Sequence, residues 1–421
     1  MEYKRLLVIS HNCFSKTGSN GRTLSNYLNG WKKEKLAQMY IHPETPDFEV
    51  CNQYYCISDV AVLKSILRRK KPAGFVVKNK PVIEKKDTLN NQKKNKKNSI
   101  MFFMREFIWK SKLWNYDGLE KWVDDFSPEI ILVQAGDATF LFDLAISISK
   151  KYSAKIVVYN TEGYYFKNIS YLQENRISKY FYPFLNSYFK KGYIRLVNAS
   201  KCEIYNCDLL AKDYESVFHT ESSVIMNTSE FTNEGVYYPK KRKIIYAGNL
   251  GLYRHISLIE FANALRQVAP DMLIDVYGKT SDEKVKEELE ACTSIRFHGF
   301  ISYEELKNKL RESRYLLHVE SFDPFYKNDL KYAFSTKIAD SLAVGSCLFV
   351  YAPENMAVSQ YLKSKDAAVL ITRPEMLTTE ISRVLNNEEL SQNYSYNGRK
   401  LAEHNHNIKK NRKLFIEALL K

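Results

Sequence analysis

Short apolar runs alternate with helix-like stretches along most of the chain, and the alternation occurs twice. In the first half, "RLLVIS" (5–10), "IILVQA" (130–135), "KIVVYN" (155–160), "IRLVNAS" (194–200) and "SVIMN" (223–227) are rich in Ile and Val and lack strict apolar–polar alternation. Strands buried on both faces of a parallel sheet read this way, because neither face meets water. "FLFDLAISISKKY" between two of them reads as a crossover helix. A polar stretch, "TNEGVYYPKKRK" (232–243), interrupts the pattern, which then restarts. "KIIYAGNL", "LIDVYG", "IRFHGF", "YLLHVES" and "CLFVYAP" are the strands of the second half. "SLIEFANALRQVAP" is a helix stopped by Pro270, and "SYEEL" opens another with the capping pair Ser302 and Glu305. The expected fold is α/β: two doubly wound, Rossmann-like parallel-sheet domains in tandem. Their expected extents are 1–238 and 239–395, with C-terminal helices over 396–421 packing back on the first domain. Such sheets bind ligands at the carboxyl ends of their strands, so two facing domains would enclose a cleft.

Charge narrows the function classes. The net charge is +15, but thirteen Lys and Arg between Lys64 and Lys97, against Glu84 and Asp87, carry +11 of it. The basicity therefore belongs to one device and not to a whole nucleic-acid-binding surface. No RNA-binding signature accompanies it, and a nucleic-acid partner is not expected. No run approaches the ~18 apolar residues of a membrane span. "MEYKRLLVIS" reads as a first strand and not as a signal peptide. Seven cysteines without a CxxC pair read as reduced thiols in a cytoplasmic protein. "HNH" at 404–406 reads as a solvated helix end before a metal site.

The chemistry concentrates in "FSTKIADSLAVG" (334–345) and the strands before it. Ser335, Thr336 and Lys337 open a helix, where free amides and a lysine can hold a diphosphate. Asp340, one turn in, can accept hydrogen bonds from ribose hydroxyls, and Gly345 lets the chain turn into the next strand. The plain alternative is a surface i,i+3 pair between Lys337 and Asp340, worth a few tenths of a kcal/mol. Upstream, "YAGNLGLYR" (246–254) places Gly248, Asn249 and Arg254 after a strand, and "VYG" and "RFHGF" end strands at Gly278 and Gly299. "HVES" ends a strand at Glu320.

With these motifs, residues 243–371 resemble the donor-binding domain of the family-4 (group 1) retaining glycosyltransferases, which have the GT-B fold. The first half resembles them in pattern. The chain departs from the family at Asp340, where a glutamate is usual, at Asn249, where an arginine often stands, and in the insertion "SFDPFYKNDLKYA" between its two acids. The resemblance implies a nucleotide-diphosphate sugar as donor and a saccharide or lipid-linked acceptor, in cell-surface polysaccharide or glycan synthesis, with no metal or other cofactor. It implies Arg254 and Lys337 on the diphosphate, Glu320 on the sugar, and Gly248, Asn249, Gly278, Gly299, Ser335, Thr336 and Asp340 around the nucleotide. The leaving diphosphate would take the acceptor's proton on the same face, so the protein's part is electrostatic.

In the first half, "SHNCFSKTGSNGRTL" sets Gly18, Asn20 and Gly21 between a strand and a helix, a turn that lets backbone approach a phosphate or sugar. "VQAGDATF" and "VYNTEGYYF" end strands with Asp137 and Glu162, which can orient an acceptor hydroxyl or, alternatively, cap helices. The basic segment and the following "SIMFFMREFIWKSKLWNY" make 64–116 a basic and aromatic insertion. It suits an anionic membrane surface, at the inner face of the cell membrane; a solvated loop followed by a buried helix is the alternative. Two other functions share the two-domain pattern: a nucleotide-sugar epimerase, and a catalytically silent sugar-nucleotide-binding scaffold.

Overall fold

The computed structural model describes residues 2–16, 19–67, 72–79, 98–111, 113–168, 170, 172, 177–235, 240–363 and 365–421. Gly18 and most of the lysine-rich segment, Lys93, Lys94, Lys96 and Lys97 included, lie outside them. The chain divides into two compact units. The first comprises Met1–Asn206, Leu210–Ile225 and Arg412–Lys421; the second comprises Cys207–Leu209 and Met226–Asn411. Residues 396–411 thus belong to the second unit and only the last ten to the first.

Among the described residues the first unit holds an eight-stranded sheet. Its strands are β1 (Leu6–Ser10), β2 (Leu36–Tyr40), β3 (Gln53–Cys56), β4 (Phe75–Val77), β5 (Ile130–Ala135), β6 (Lys155–Asn160), β7 (Ser200–Tyr205) and β8 (Ser222–Val224), in the order β4-β3-β2-β1-β5-β6-β7-β8. All neighbours are parallel except the edge pair β3–β4. β1 and β5 are buried along their whole length, as their unbroken apolar sequences require. The strand order reverses between β1 and β5. The core on one face takes Phe415 and Leu419 from the C-terminal helix Ile408–Leu420, with Phe415 stacked on Tyr27 at 4.4 Å.

The second unit holds a six-stranded, all-parallel sheet of β9 (Lys241–Asn249), β10 (Ile274–Lys279), β11 (Ile295–Gly299), β12 (Ser313–Val319), β13 (Cys347–Tyr351) and β14 (Val369–Ile371). The order is β11-β10-β9-β12-β13-β14, so the reversal falls between β9 and β12. The two sheets bear out the expected α/β class. The capping box at Ser302 and Glu305 is present, each side chain bonding the other residue's backbone amide.

Two expectations are corrected. "IRLVNAS" is not a strand; it ends the helix Tyr182–Ala199, whose buried Leu185, Phe189, Tyr193, Leu196 and Val197 recur at helical spacing. The strand follows it, at Ser200–Tyr205. His406 is not a solvated helix end but fully buried. Its Nδ1 donates to the Asn227 carbonyl at 2.7 Å, which leaves Nε2 to accept from the Tyr361 hydroxyl at 3.0 Å. Burial pushes its pKa down to about 4. None of the seven cysteines is in a disulfide, and of the seven only Cys292 is not buried.

Candidate functional site

The reversal point of the second sheet is where an α/β unit opens a ligand crevice, and the singled-out residues of the second half gather near it. In register, Gly278 of β10 lies beside Gly248 of β9, and Gly299 of β11 beside Tyr277. Three adjacent strands therefore carry glycine toward their carboxyl ends. A Cβ on Gly278 would stand 2.6 Å from the Gly248 carbonyl oxygen, and one on Gly248 would collide with the Tyr246 hydroxyl. Gly299 has φ +72°, a conformation that glycine adopts without steric cost. The result is a strip of bare backbone that a ligand can approach closely. Asn249 shapes the following loop: its Oδ1 accepts from the Gly251 amide at 2.8 Å.

After that loop, Leu252 and Tyr253 both adopt left-handed backbone, at φ 57° and 59°. Each costs about 1–2 kcal/mol for a residue with a side chain. This strained turn delivers Arg254 to the first position of the helix Arg254–Val268. Its Nε donates to Glu320 Oε2 at 2.7 Å, and Glu320 follows directly on β12. The ion pair thus joins the loops after β9 and β12 at the reversal point. Glu320 is almost wholly buried, and His318 Nε2 lies 3.2 Å from its other oxygen. Burial alone would push the carboxyl up, but the Arg254 charge and His318 outweigh it and hold it below the usual carboxylate range. With Nε committed to Glu320, the guanidinium is oriented, and its terminal nitrogens suit a bidentate anion.

Ser335 caps the helix Thr336–Ala343, its Oγ accepting from the Lys337 amide at 3.3 Å. Thr336 and Lys337 occupy the first turn and are partly exposed. Asn227 anchors the approach to this helix by donating to the Phe334 carbonyl at 3.1 Å. Asp340 points inward instead. Its Oδ1 accepts from Ser229 Oγ at 2.6 Å and its Oδ2 from the Tyr303 hydroxyl at 3.1 Å. Sequence spacing revealed the acid but not these partners, which come from 111 and 37 residues away.

In the first unit a pocket of about 260 Å³ opens at the ends of β1, β5 and β6. Asp137 and Glu162 both line it, together with His11, His42 and Arg105, which sequence reasoning had not singled out. His11 directly follows β1, and its strand-end position beside the reversal was the signal available. Its Nε2 lies 3.3 Å from Asp137 Oδ1. That nitrogen is buried and makes no hydrogen bond among the described residues. Only glycine at 136 admits the imidazole, since a Cβ there would overlap its ring. His42 Nδ1 is 3.2 Å from Asn12 Nδ2, and Arg105 donates to Asp59 at 2.9 Å. Glu162 is half-exposed, 3.6 Å from Lys167 Nζ. Asn20 and Gly21 do not form a loop: the helix Ser19–Leu28 already contains both. Gly21 is required there because a Cβ would strike the Cys13 carbonyl. Among the described residues no group of three or more His, Cys, Asp or Glu is placed to hold a metal ion.

Residues 254–417 match the family described as glycosyl transferase-like. No curated protein matches the chain. Among solved structures, HepE from Anabaena, crystallised with UDP and glucose, aligns over 100% of both chains at 10% identity and TM-score 0.64. Sucrose-phosphate synthase from Thermosynechococcus elongatus aligns over 98% of each at 9% identity and TM-score 0.63. A TarM variant from S. aureus, solved with Fondaparinux, alpha-GlcNAc-glycerol and UDP, aligns over 99% of this chain and 100% of its own, at 10% identity and TM-score 0.60. At these identities the likeness is one of fold, while the family match covers the strained loop's Arg254, Glu320 and the Thr336–Ala343 helix. The chain accordingly has the GT-B fold, and its residues 254–417 are similar to the glycosyl transferase-like family.

Proposed function

We propose that the protein is a retaining glycosyltransferase that moves a hexosyl or related sugar from a nucleotide-diphosphate donor to a saccharide or lipid-linked acceptor, in cell-surface polysaccharide or glycan synthesis. The observation that carries this reading is the Arg254–Glu320 pair at the reversal of the second sheet, flanked by the glycine strip. The glycines leave backbone open to a nucleotide, and the oriented guanidinium meets its diphosphate. Ser335, Thr336 and Lys337 add helix amides and a second cation. Several structures of this fold were solved with UDP, which supports a nucleotide donor.

The reaction asks little covalent chemistry of the protein. The sugar C1–O bond to the diphosphate breaks as the acceptor oxygen bonds to C1 on the same face, and the acceptor proton passes to the departing diphosphate. Charge grows on the diphosphate, where Arg254 and Lys337 stabilise it. In the first unit, His11, Asp137 and Glu162 line a pocket and offer hydrogen-bonding groups for the hydroxyls of a sugar acceptor. No metal enters this scheme.

The silent-scaffold alternative draws on Asp340, whose carboxylate is occupied by Ser229 and Tyr303. The decisive experiment offers a panel of nucleotide sugars, with and without a mixture of glycan acceptors. Free nucleoside diphosphate released only with acceptor is expected, with NMR showing the donor's anomeric configuration kept in the product. Interconversion of the donor sugar without acceptor would identify an epimerase. Donor binding with no turnover would identify the scaffold.

A further inference from the structure

The helix Ser99–Lys110 is apolar on two faces. One face, with Phe102 and Trp109, is buried, and Glu106 on the same side is held by the Thr139 amide at 2.8 Å. The other carries Met104, 56% exposed, and Phe107, 69% exposed. An ordinary surface helix turns polar side chains outward, whereas this outer side leaves Met104 and Phe107 to solvent. The face does not stand alone. Phe103 meets Tyr188 of the helix Tyr182–Ala199 at 5.8 Å; that helix carries Phe184, 71% exposed, and the 3-10 turn Ser178–Phe181 leading into it carries Tyr180, 69% exposed. On its other flank Asp59, at the start of the helix Asp59–Leu67, accepts from Arg105 and Trp109 at 2.9 and 2.8 Å, and Leu63 of that helix is exposed. Three neighbouring helical segments therefore present one apolar and aromatic surface, of the kind that marks an interaction site.

Charge selects the occupant. Lys64, Lys179 and Lys191 are exposed on these segments. The carboxylates on residues 59–67, 98–110 and 177–191 are Asp59 and Glu106, the first ion-paired with Arg105 and the second buried. A second copy of the chain would bring the same lysines face to face with no acid to meet them. An anionic lipid surface instead accepts aromatic side chains at its interface and lysines at its headgroups. We propose that this surface docks the first unit on anionic membranes, lying on the bilayer. No helix among the described residues is long and apolar enough to cross one.

The test is co-sedimentation of the intact protein with vesicles of phosphatidylcholine alone or mixed with phosphatidylglycerol, at low and high salt. Binding to the anionic vesicles is expected, weakening as salt rises. A double substitution, Phe107→Ser with Phe184→Ser, should lower it about tenfold or more, because each ring buries apolar area in the interface. Lys64→Gln, Lys179→Gln and Lys191→Gln together should remove the preference for phosphatidylglycerol. All these side chains are exposed, so folding and transfer to a water-soluble acceptor should be unchanged, which separates this proposal from the glycosyltransferase reading. Absence of binding at low salt, equal binding to both vesicles, or insensitivity to the phenylalanine changes would overturn it. So would a dimer, seen by light scattering, that the phenylalanine changes abolish.

Discussion

In the proposed reaction Arg254 has two jobs that a simple alanine substitution cannot separate. It would meet the donor's diphosphate, and it neutralises Glu320, which is 2% exposed. Arg254→Ala would strand a buried carboxylate, at a cost of about 3–5 kcal/mol. The variant should therefore lose both turnover and thermal stability. The double variant Arg254→Met/Glu320→Gln removes the charge problem and should recover most of the stability while remaining about a hundredfold or more slower, since one such contact in a closed site contributes about 3–4 kcal/mol at the transition state. Melting temperatures and steady-state rates of the two variants decide it. A double variant as active as wild type would remove Arg254 from the site. At this scale the sequence showed which residues carry charge at strand ends. It did not show that Asp340 faces Ser229 and Tyr303, or that His11 lies against Asp137, because those partners are remote in the chain.

Elements place these residues through backbone that tolerates no substituents. Gly278→Ala would drive a methyl against the Gly248 carbonyl, which is backbone and cannot swing aside. Overpacking of this kind costs about 1–3 kcal/mol, and the displaced strand end should also weaken donor binding. Gly235→Ala, with nothing within 4 Å of its Cβ among the described residues, is the matched control and should be neutral. Equal denaturation midpoints for the two would refute the close-packed strip. The strands with unbroken Ile and Val were legible from sequence. β2, "LAQMY", was not, because a polar residue sits in its centre. Gln38 is buried, yet its Oε1 accepts from the Phe14 amide at 2.8 Å and its Nε2 donates to Ser10 at 2.9 Å. "IRLVNAS" misled in the opposite sense: its short Ile-, Leu- and Val-bearing stretch looks like a strand, and the helical period shows only when read back to Leu185.

Across the whole molecule, the second unit carries a pH-sensitive lock in its His406, with both ring nitrogens committed to Asn227 and Tyr361. Its folded pKa, about 4, lies below the ordinary value of 6.5. Between those values the unfolded chain binds a proton that the folded chain refuses, so stability rises with pH across this window and is lost as pH falls from about 6.5 toward about 4. The full effect is on the order of 3 kcal/mol, from about 1.4 kcal/mol per pKa unit. Denaturant midpoints measured between these pH values should show the slope, and His406→Asn should flatten it. An unchanged slope would mean that other groups set the acid limit.

The sequence alone determined the α/β class, its repetition, and the order along the chain of the glycines and charged residues at strand ends. Burial on both sheet faces demands unbroken apolar runs, and strand ends collect the glycines and charges that buried interiors exclude. Tertiary structure decided which of those residues meet. Strand order set the two reversal points, and these brought Arg254 to Glu320 and His11 to Asp137 across 66 and 126 residues of chain. It also divided the terminal helix, with Asn411 bonded to Met226 of the second unit and Phe415 buried in the core of the first. Pairing between distant segments depends on sheet topology and on the shape of the assembled core, and no local pattern of residues encodes either.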